Sequence, residues 1–538
     1  MTSPRRTTRA RRALIAGGLV LAGALSLLAP PTPADARATG PGTDTAARTA
    51  AYRETAAYLE TIRQDPGRSR ELREFFLRLP KGGDLHHHLG GAVTTESLIR
   101  FAAEDGLCVD TRTLTAVRPP CGPATRPAAD ARTDPAFRTA LIRAWSMQDF
   151  PPDRLGHDHF FATFARFGEV IRHHGGRQLA EVADSVVRQH QLYLETMVTP
   201  VPDLAVELAT EAGWDADLAR LHGKLLAGGR LERLVDAARA EADAADAEFR
   251  ALSRCGGEQP APGCRLLVRK IAHAHRNNPP EVVFTQLALG MRLAERDPRF
   301  VAVNLVEPED GAVALRDYRL HMRMVRYLRG LYPAAHVTLH AGELWPGLVK
   351  PEHLTFHITE AVRTARAERV GHGVDLVHED DRQRLLRRMA RREVAVEVPF
   401  TSNAQILGVR GGDHPFTTYR AHGVPVVLAT DDPGVSRTDI SHEYQYAATA
   451  YGLGYGELKD LARASLEYAF LPGRSLWRGN PTARGYQPVD ACAGTAAPGR
   501  QAPPGPACRK LLAGSPKAAV QWRLEAAFAA FERRFAAP

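Results

Sequence analysis

The sequence predicts an α/β chain folded as a (β/α)8 TIM barrel, with inserted loops and helical N- and C-terminal extensions. Three observations predict it. Eight short apolar runs of strand character succeed one another along the chain, and segments with apolar residues at three- and four-residue spacing lie between most of them. Residues with metal-ligand chemistry then fall at the downstream ends of these runs, where reactive groups of such a barrel gather. The length of 538 residues, 44% of them hydrophobic and 24% charged, suits one large domain of ordinary globular composition.

The first 38 residues stand apart. Basic "MTSPRRTTRARR" precedes the apolar "ALIAGGLVLAGALSLLA" and the Pro-rich "PPTPADARA". This pattern predicts a signal peptide over 1–38, cleaved near Ala36 or Ala38, and a secreted mature protein. The pair Arg11 and Arg12 suits twin-arginine export, and the Sec route is equally open. No later run is long and apolar enough to span a bilayer, so no membrane partner is expected after cleavage.

Residues 39–78 read as a helical N-terminal segment, with "AAYRETAAYLETIR" and "RSRELREFFLRL" in helical spacing. The barrel is expected over 79–475. Its strands are "GGDLHH", "LYLETMVT", "CRLLVRKIA", "FVAVNLV", "HVTLHA", "RVGHG", "EVAVEVPF" and "VPVVLAT". Helices are expected at 178–189, 286–295, 314–332, 352–367 and 379–392. Insertions fall at about 107–149 and in the helical stretch before Cys264. Residues 476–538 read as a Pro-rich loop and a C-terminal helix, "KAAVQWRLEAAFAAFERRF".

Six cysteines form three local couples, Cys108 with Cys121, Cys255 with Cys264, and Cys492 with Cys508, each bracketing a loop rich in Pro or Gly. Local closure costs little chain entropy, and an exported protein meets an oxidising compartment, so three disulfides are expected. The formal charge of +9 comes from scattered arginines on helix faces. No basic block with interleaved aromatics accompanies it, which argues against a nucleic-acid partner.

His86 and His88 are two residues apart in the first strand, so their side chains leave on one face while His87 turns to the other. His340 ends the fifth strand, Gly342 permits a sharp turn, and Glu343 follows. His372 sits between two glycines at the end of the sixth strand. Asp431 and Asp432 end the eighth, halted by Pro433. These residues meet at one rim of the expected barrel. Three neutral imidazoles and a carboxylate favour a zinc ion with a position left for water. Glu343, His372 and Asp432 supply an acid, a base and an acceptor around it.

HAGE, GHG and TDDP, in this order after the His-x-His strand, resemble the motifs of the adenosine deaminase family over roughly Leu79 to Leu471. The resemblance implies one zinc ion held by His86, His88, His340 and Asp431. It implies Glu343 as the acid that protonates purine N1, His372 as the group that orients or deprotonates the attacking water, and Asp432 as the acceptor facing N7 and that water. The activity implied is hydrolytic deamination of adenosine, and of 2′-deoxyadenosine, to inosine and ammonia, with a purine nucleoside as the small-molecule partner. A deaminase of another 6-aminopurine, such as adenine or a modified nucleoside, is the alternative within enzymes. A secreted, non-catalytic nucleoside-binding or growth-factor-like protein is the alternative outside them. The sequence departs from the family pattern twice: Gly90 stands where an Asp contacts the sugar, and Glu307 where a Gly lets the backbone approach purine N3. Both departures bear on sugar recognition. The His-x-Glu with Pro-Cys-x-x-Cys design of the nucleic-acid deaminases is absent. Homo-oligomerisation is left open.

Overall fold

The computed structural model describes residues 50–172, 174–493 and 504–535, and the expected signal peptide lies outside them. Eight parallel strands form the central sheet in chain order. They are β1 (Gly82–Asp84), β2 (Gln191–Val198), β3 (Leu267–His275), β4 (Phe300–Val306), β5 (His336–Ala341), β6 (Arg369–His372), β7 (Ala395–Val398) and β8 (Val426–Leu428). All eight expected strands are present. The sheet closes where His87 bridges Asp431, with the His88 N–H donating to the Asp431 carbonyl and the Asp431 N–H to the His86 carbonyl, each at 2.9 Å. The barrel seam is therefore made by backbone of the candidate ligand residues themselves.

Three expected boundaries move for identifiable reasons. The third strand begins at Leu267 and not at Cys264, because Cys264 lies in a 3-10 turn over Pro262–Arg265. A disulfide to Cys255 and a hydrogen bond from the Gly263 N–H to Asp184 (2.7 Å) hold that turn. The helix expected over 352–367 is broken into a 3-10 turn (Pro351–Leu354), a short helix (His357–Glu360) and a π-turn (Ala361–Ala365). The Glu379 carboxylate accepts from the N–H groups of Ile358 (2.7 Å) and Thr359 (3.1 Å). It thereby caps the short helix from outside. Spent in this way, Glu379 does not start the next helix, which runs from Arg382 to Arg392.

The terminal segments pack on the barrel. Phe75 of helix Ser69–Arg78 meets Phe531 of helix Pro516–Glu532 with ring centroids 5.1 Å apart. Arg463, on the helix after β8, grips Glu525 with two hydrogen bonds of 2.7 and 2.8 Å. A further helix, Pro506–Gly514, precedes the expected C-terminal one. The first insertion holds a small antiparallel sheet of Cys108–Asp110, Ala116–Val117 and Thr125–Pro127, an element the sequence pattern did not announce. Its core joins Trp145, Phe160 and Phe167 to Val374 and Val435 on loops following β6 and β8, so the insertion seats on the barrel rim. All three expected disulfides are formed. Among the described residues no helix is long and apolar enough to cross a membrane.

Beneath the rim the barrel interior is charged. Arg369 on β6 donates to Glu195 on β2 and to Glu397 on β7, all three at most 1% exposed. Burial alone would raise the Glu397 carboxyl, but Arg369 and then His86 hold it down to about 2. Breaking such a cluster from the cationic side leaves two buried carboxylates unpaired. Arg369→Met should therefore lower unfolding free energy by about 3–5 kcal/mol. Urea denaturation monitored by circular dichroism checks this, and a loss under about 1 kcal/mol would assign the cluster no structural weight.

Candidate active site

All seven residues singled out from the sequence meet at the C-terminal rim of the barrel. His86 and His88 continue the line of β1, His340 lies in β5, Glu343 follows it with Oε1 3.7 Å from His372 Nδ1, His372 ends β6, and Asp431 and Asp432 follow β8. The His88 Nε2 lies 3.3 Å from His340 Nε2 and 3.2 Å from Asp431 Oδ1, and His86 Nε2 lies 3.4 Å from the same oxygen. Ligand atoms of His86, His340, His372 and Asp431 all fall within 4.8 Å of one another, as do those of His88, Asp431 and Asp432. His87 turns away, as its register requires, and its Nδ1 pairs with Thr196 Oγ1 at 2.9 Å.

The hydrogen bonds behind the imidazoles decide what they present. His86 Nδ1 faces Glu397 Oε2 (2.6 Å), His340 Nδ1 faces Asn304 Oδ1 (3.1 Å), and His372 Nδ1 faces Asn403 Oδ1 (2.8 Å). Each Nδ1 proton is claimed by an oxygen, so each Nε2 is turned toward the centre. The Nε2 atoms of His86 and His372 are buried without a hydrogen-bond partner. Converging nitrogens beside a buried carboxylate require a positive charge among them. Burial would lower His86, yet Asp431 and Glu397 raise it to about 10, so the pocket draws a cation to that nitrogen. The donor set of imidazole nitrogens and one carboxylate fits a divalent metal of the zinc type.

The residues behind the ligands went unnoticed in the sequence because their signal is tertiary. Glu397 lies mid-strand in an apolar run, Asn304 and Asn403 are ordinary amides, and Ser402 donates to Asp431 Oδ2 from a neighbouring helix at 2.7 Å. Asp84 ties β1 to β8 by accepting from the Thr430 hydroxyl at 2.6 Å. Glu309 accepts from the backbone N–H groups of Gly342 (3.1 Å) and Glu343 (2.9 Å), which fixes the loop carrying Glu343. One legible signal was overlooked: "HAH" near the end of β3 repeats the His-x-His spacing of β1 and brings His273 and His275 to the same rim.

Two glycines are required by close approach. A Cβ on Gly91 would stand 1.7 Å from Asp432 Oδ1, and one on Gly371 would stand 2.5 Å from His86 Cε1. His372 and Asp431 adopt left-handed backbone conformations, with φ of 65° and 62°. Such strain costs roughly 1–3 kcal/mol per residue and persists only where the surroundings enforce it.

The carboxyl groups of the site are driven apart. Burial, then repulsion from Asp431, raises Glu343 to about 8. Burial and Asp431 likewise raise Asp432 well above the usual carboxylate range, and its Oδ1 is buried without a partner. Asp431 itself is held low, since the imidazoles of His86 and His88 set against its carboxylate outweigh its burial. Burial lowers His372 to about 4, so its imidazole is neutral. The arrangement offers a metal-ligand cluster flanked by two carboxyl groups able to donate protons.

The adenosine deaminase family model matches residues 146–476, more than half of the chain. The chain belongs to the adenosine deaminase family. The match opens at residue 146, at the end of the first insertion, while His86 and His88 lie upstream of that insertion. An adenosine deaminase of Salmonella heidelberg is 42% identical over 137 residues, which are 25% of this chain and 38% of that protein. The chain thus matches under two fifths of that relative's length. Two solved Arabidopsis structures share the fold. One is an N6-mAMP deaminase (20% identity, 74% of this chain and 96% of the other, TM-score 0.50), and the other is ADAL in complex with GMP (19%, 74%, 94%, 0.50).

Removing the Glu397 carboxylate should loosen His86 without touching the ligand cluster itself. Glu397→Gln is expected to weaken divalent-metal binding about 10–100-fold, read by competition with a chromogenic chelator. Affinity within about twofold of the parent would remove Glu397 as the residue that orients His86.

Proposed function

We propose that the chain is an exported zinc hydrolase that deaminates adenosine, and 2′-deoxyadenosine, to inosine and ammonia. The observation that carries this reading is the buried Glu343 carboxyl, its Oε1 3.7 Å from His372 Nδ1, beside a cluster of imidazole Nε2 atoms and Asp431. His86, His88, His340 and Asp431 would hold one zinc ion, with His372 near enough to share or exchange with that set. Bound there, zinc supplies a Lewis acid that makes water nucleophilic near neutral pH.

The remaining steps are work for the side chains. His372, neutral and fixed at Nδ1 by Asn403, presents its Nε2 lone pair to orient the attacking water and receive its proton. As the water oxygen bonds to purine C6, Glu343 delivers its proton to N1, which gives the electrons of the ring a place to go. The proton on His372 passes to the exocyclic amine, the C6–N bond breaks as ammonia leaves, and the proton still on the C6 hydroxyl passes to the Glu343 carboxylate, which restores the acid and leaves the C6 carbonyl of inosine. Purine N7 is a hydrogen-bond acceptor, and Asp432 is raised toward its protonated form, so Asp432 is assigned as a donor to N7. This replaces the acceptor role expected from the sequence with the one its surroundings favour.

Export is supported by the N-terminal leader pattern and by three disulfides, which persist in oxidising compartments. A deaminase of another 6-aminopurine is the second reading, favoured by Gly90 and Glu307. A non-catalytic binding protein has no use for a strained, complete cluster with a protonated acid beside it.

Glu343→Gln keeps the shape of the acid and removes its proton. Turnover of adenosine should fall about 10²–10⁴-fold, with zinc content by atomic emission unchanged at one per chain. The purine absorbance change on conversion to inosine measures it. Turnover within about tenfold of the parent would deny Glu343 the acid role.

A further inference from the structure

The reaction outlined above leaves a row of polar residues at the ends of β2, β3 and β4 without a task. Glu307, directly after β4, has φ of 78°. Its Oε1 accepts from His275 Nδ1 at 3.0 Å and its Oε2 accepts from the Asn277 N–H at 2.9 Å. His275 Nε2 lies 3.1 Å from Thr199 Oγ1, and the same hydroxyl is hydrogen-bonded to His273 Nε2. The row ends there. His273 Nδ1 is buried without a partner, in a ring whose centroid is 6.0 Å from that of His88.

Counting protons gives the row a direction. Glu307 accepts at both oxygens, so His275 carries its proton on Nδ1. A neutral His275 then has only a lone pair at Nε2, which takes the single proton of the Thr199 hydroxyl. Thr199 Oγ1 in turn accepts from His273 Nε2–H. His273 Nδ1 is left as a bare acceptor, beside a candidate metal ligand and facing no donor of the protein. Burial lowers His273 and keeps it neutral, and the hydrogen bond from His275 outweighs burial at Glu307, so both ends are in the state this direction requires.

The order of atoms around a purine says what meets this acceptor. With C6 at the cluster, N1 toward Glu343 after β5 and N7 toward Asp432 after β8, the edge from C2 to N9 and its sugar face the strand ends that remain. On the β1 side Gly90 brings no side chain, and Ile171 Cδ1 closes its Cβ position at 2.7 Å. The row from β2 to β4 carries the polar groups on that side. We propose that Thr199, His273, His275 and Glu307 form a sugar subsite in which His273 Nδ1 accepts a hydrogen bond from one nucleoside hydroxyl, selecting nucleosides over nucleotides phosphorylated at that oxygen. A phosphate ester lacks the donor proton there, and its charge is opposed by the Glu307 carboxylate of the same row. Glu307, the departure from the family pattern, is then the residue that sets the direction of the whole row.

This inference rests on the deaminase reading, and binding without turnover tests it. Calorimetric titrations at pH 8 would use the zinc-loaded parent, His273→Phe and Glu307→Gln. The ligands are inosine, its 2′-, 3′- and 5′-deoxy forms, and the corresponding monophosphates. One deoxy form is expected to bind the parent about tenfold more weakly than inosine, and to bind His273→Phe as well as inosine does. The monophosphate on that same oxygen should bind the parent more weakly still and gain at least about tenfold in Glu307→Gln. Equal deoxy losses in parent and His273→Phe would overturn the subsite, as would a parent that binds all three monophosphates as tightly as inosine. Glu307→Gln keeps the inference open to refutation even where His273→Phe fails to fold. A parent that binds none of these purines overturns the deaminase reading and the subsite with it.

Discussion

The buried guanidinium of Arg369 is the interaction on which the site depends. It joins Glu195 and Glu397 in the centre of the barrel, and Glu397 continues the line to His86 Nδ1. Carboxylates in a dry barrel are costly to hold ionised, and a fully charged Arg between them offsets that cost through short, directional hydrogen bonds. Because Glu397 stays ionised, His86 is forced to present Nε2 at the rim. A charge arrangement below the mouth thereby selects the tautomer above it. The same strands carry the load and the chemistry, since β6 supplies both Arg369 and His372.

Around this axis, the rim is held by backbone in unfavourable conformations. Glu307, His372 and Asp431 end β4, β6 and β8 with positive φ, and Gly342 does so after β5. Each turn throws a polar side chain back over the barrel mouth. The surroundings that hold them are His275 and the Asn277 N–H at Glu307, the amide of Asn403 at His372, the hydroxyl of Ser402 at Asp431 and the carboxylate of Glu309 at Gly342. The result is a small space in which neighbouring carboxyl groups differ in protonation: Asp431 ionised beside the imidazoles, Glu343 and Asp432 raised by burial and by Asp431. Acid and metal-ligand roles are thus divided by environment among residues of the same type.

The decorations serve that mouth. The insertion between β1 and β2 spends its apolar residues on the loops after β6 and β8, and it is tied to them by the Met147 N–H donating to the Val435 carbonyl at 2.8 Å. The terminal helices use the other available surface, packing on the helix after β8 through Arg463 and Glu525. The two end segments bury apolar residues such as Ile62, Phe76, Leu524 and Phe528 within the chain.

The sequence by itself determined the eight strands, the cysteine pairs and the seven candidate residues that come together at one rim. Each of these is written in local pattern: strand periodicity, glycine and proline at turns, short loops between cysteines. The third strand and the helix expected over 352–367 were misplaced because distant residues, Asp184 and Glu379, bond the backbone there. Only the tertiary structure decided which imidazole nitrogen faces inward, which carboxyls stay protonated, and that Glu307, His275, Thr199 and His273 form one directed row. Those properties belong to groups brought together from strands far apart in the chain, where desolvation and a neighbour's charge, not residue type, set the state of a proton.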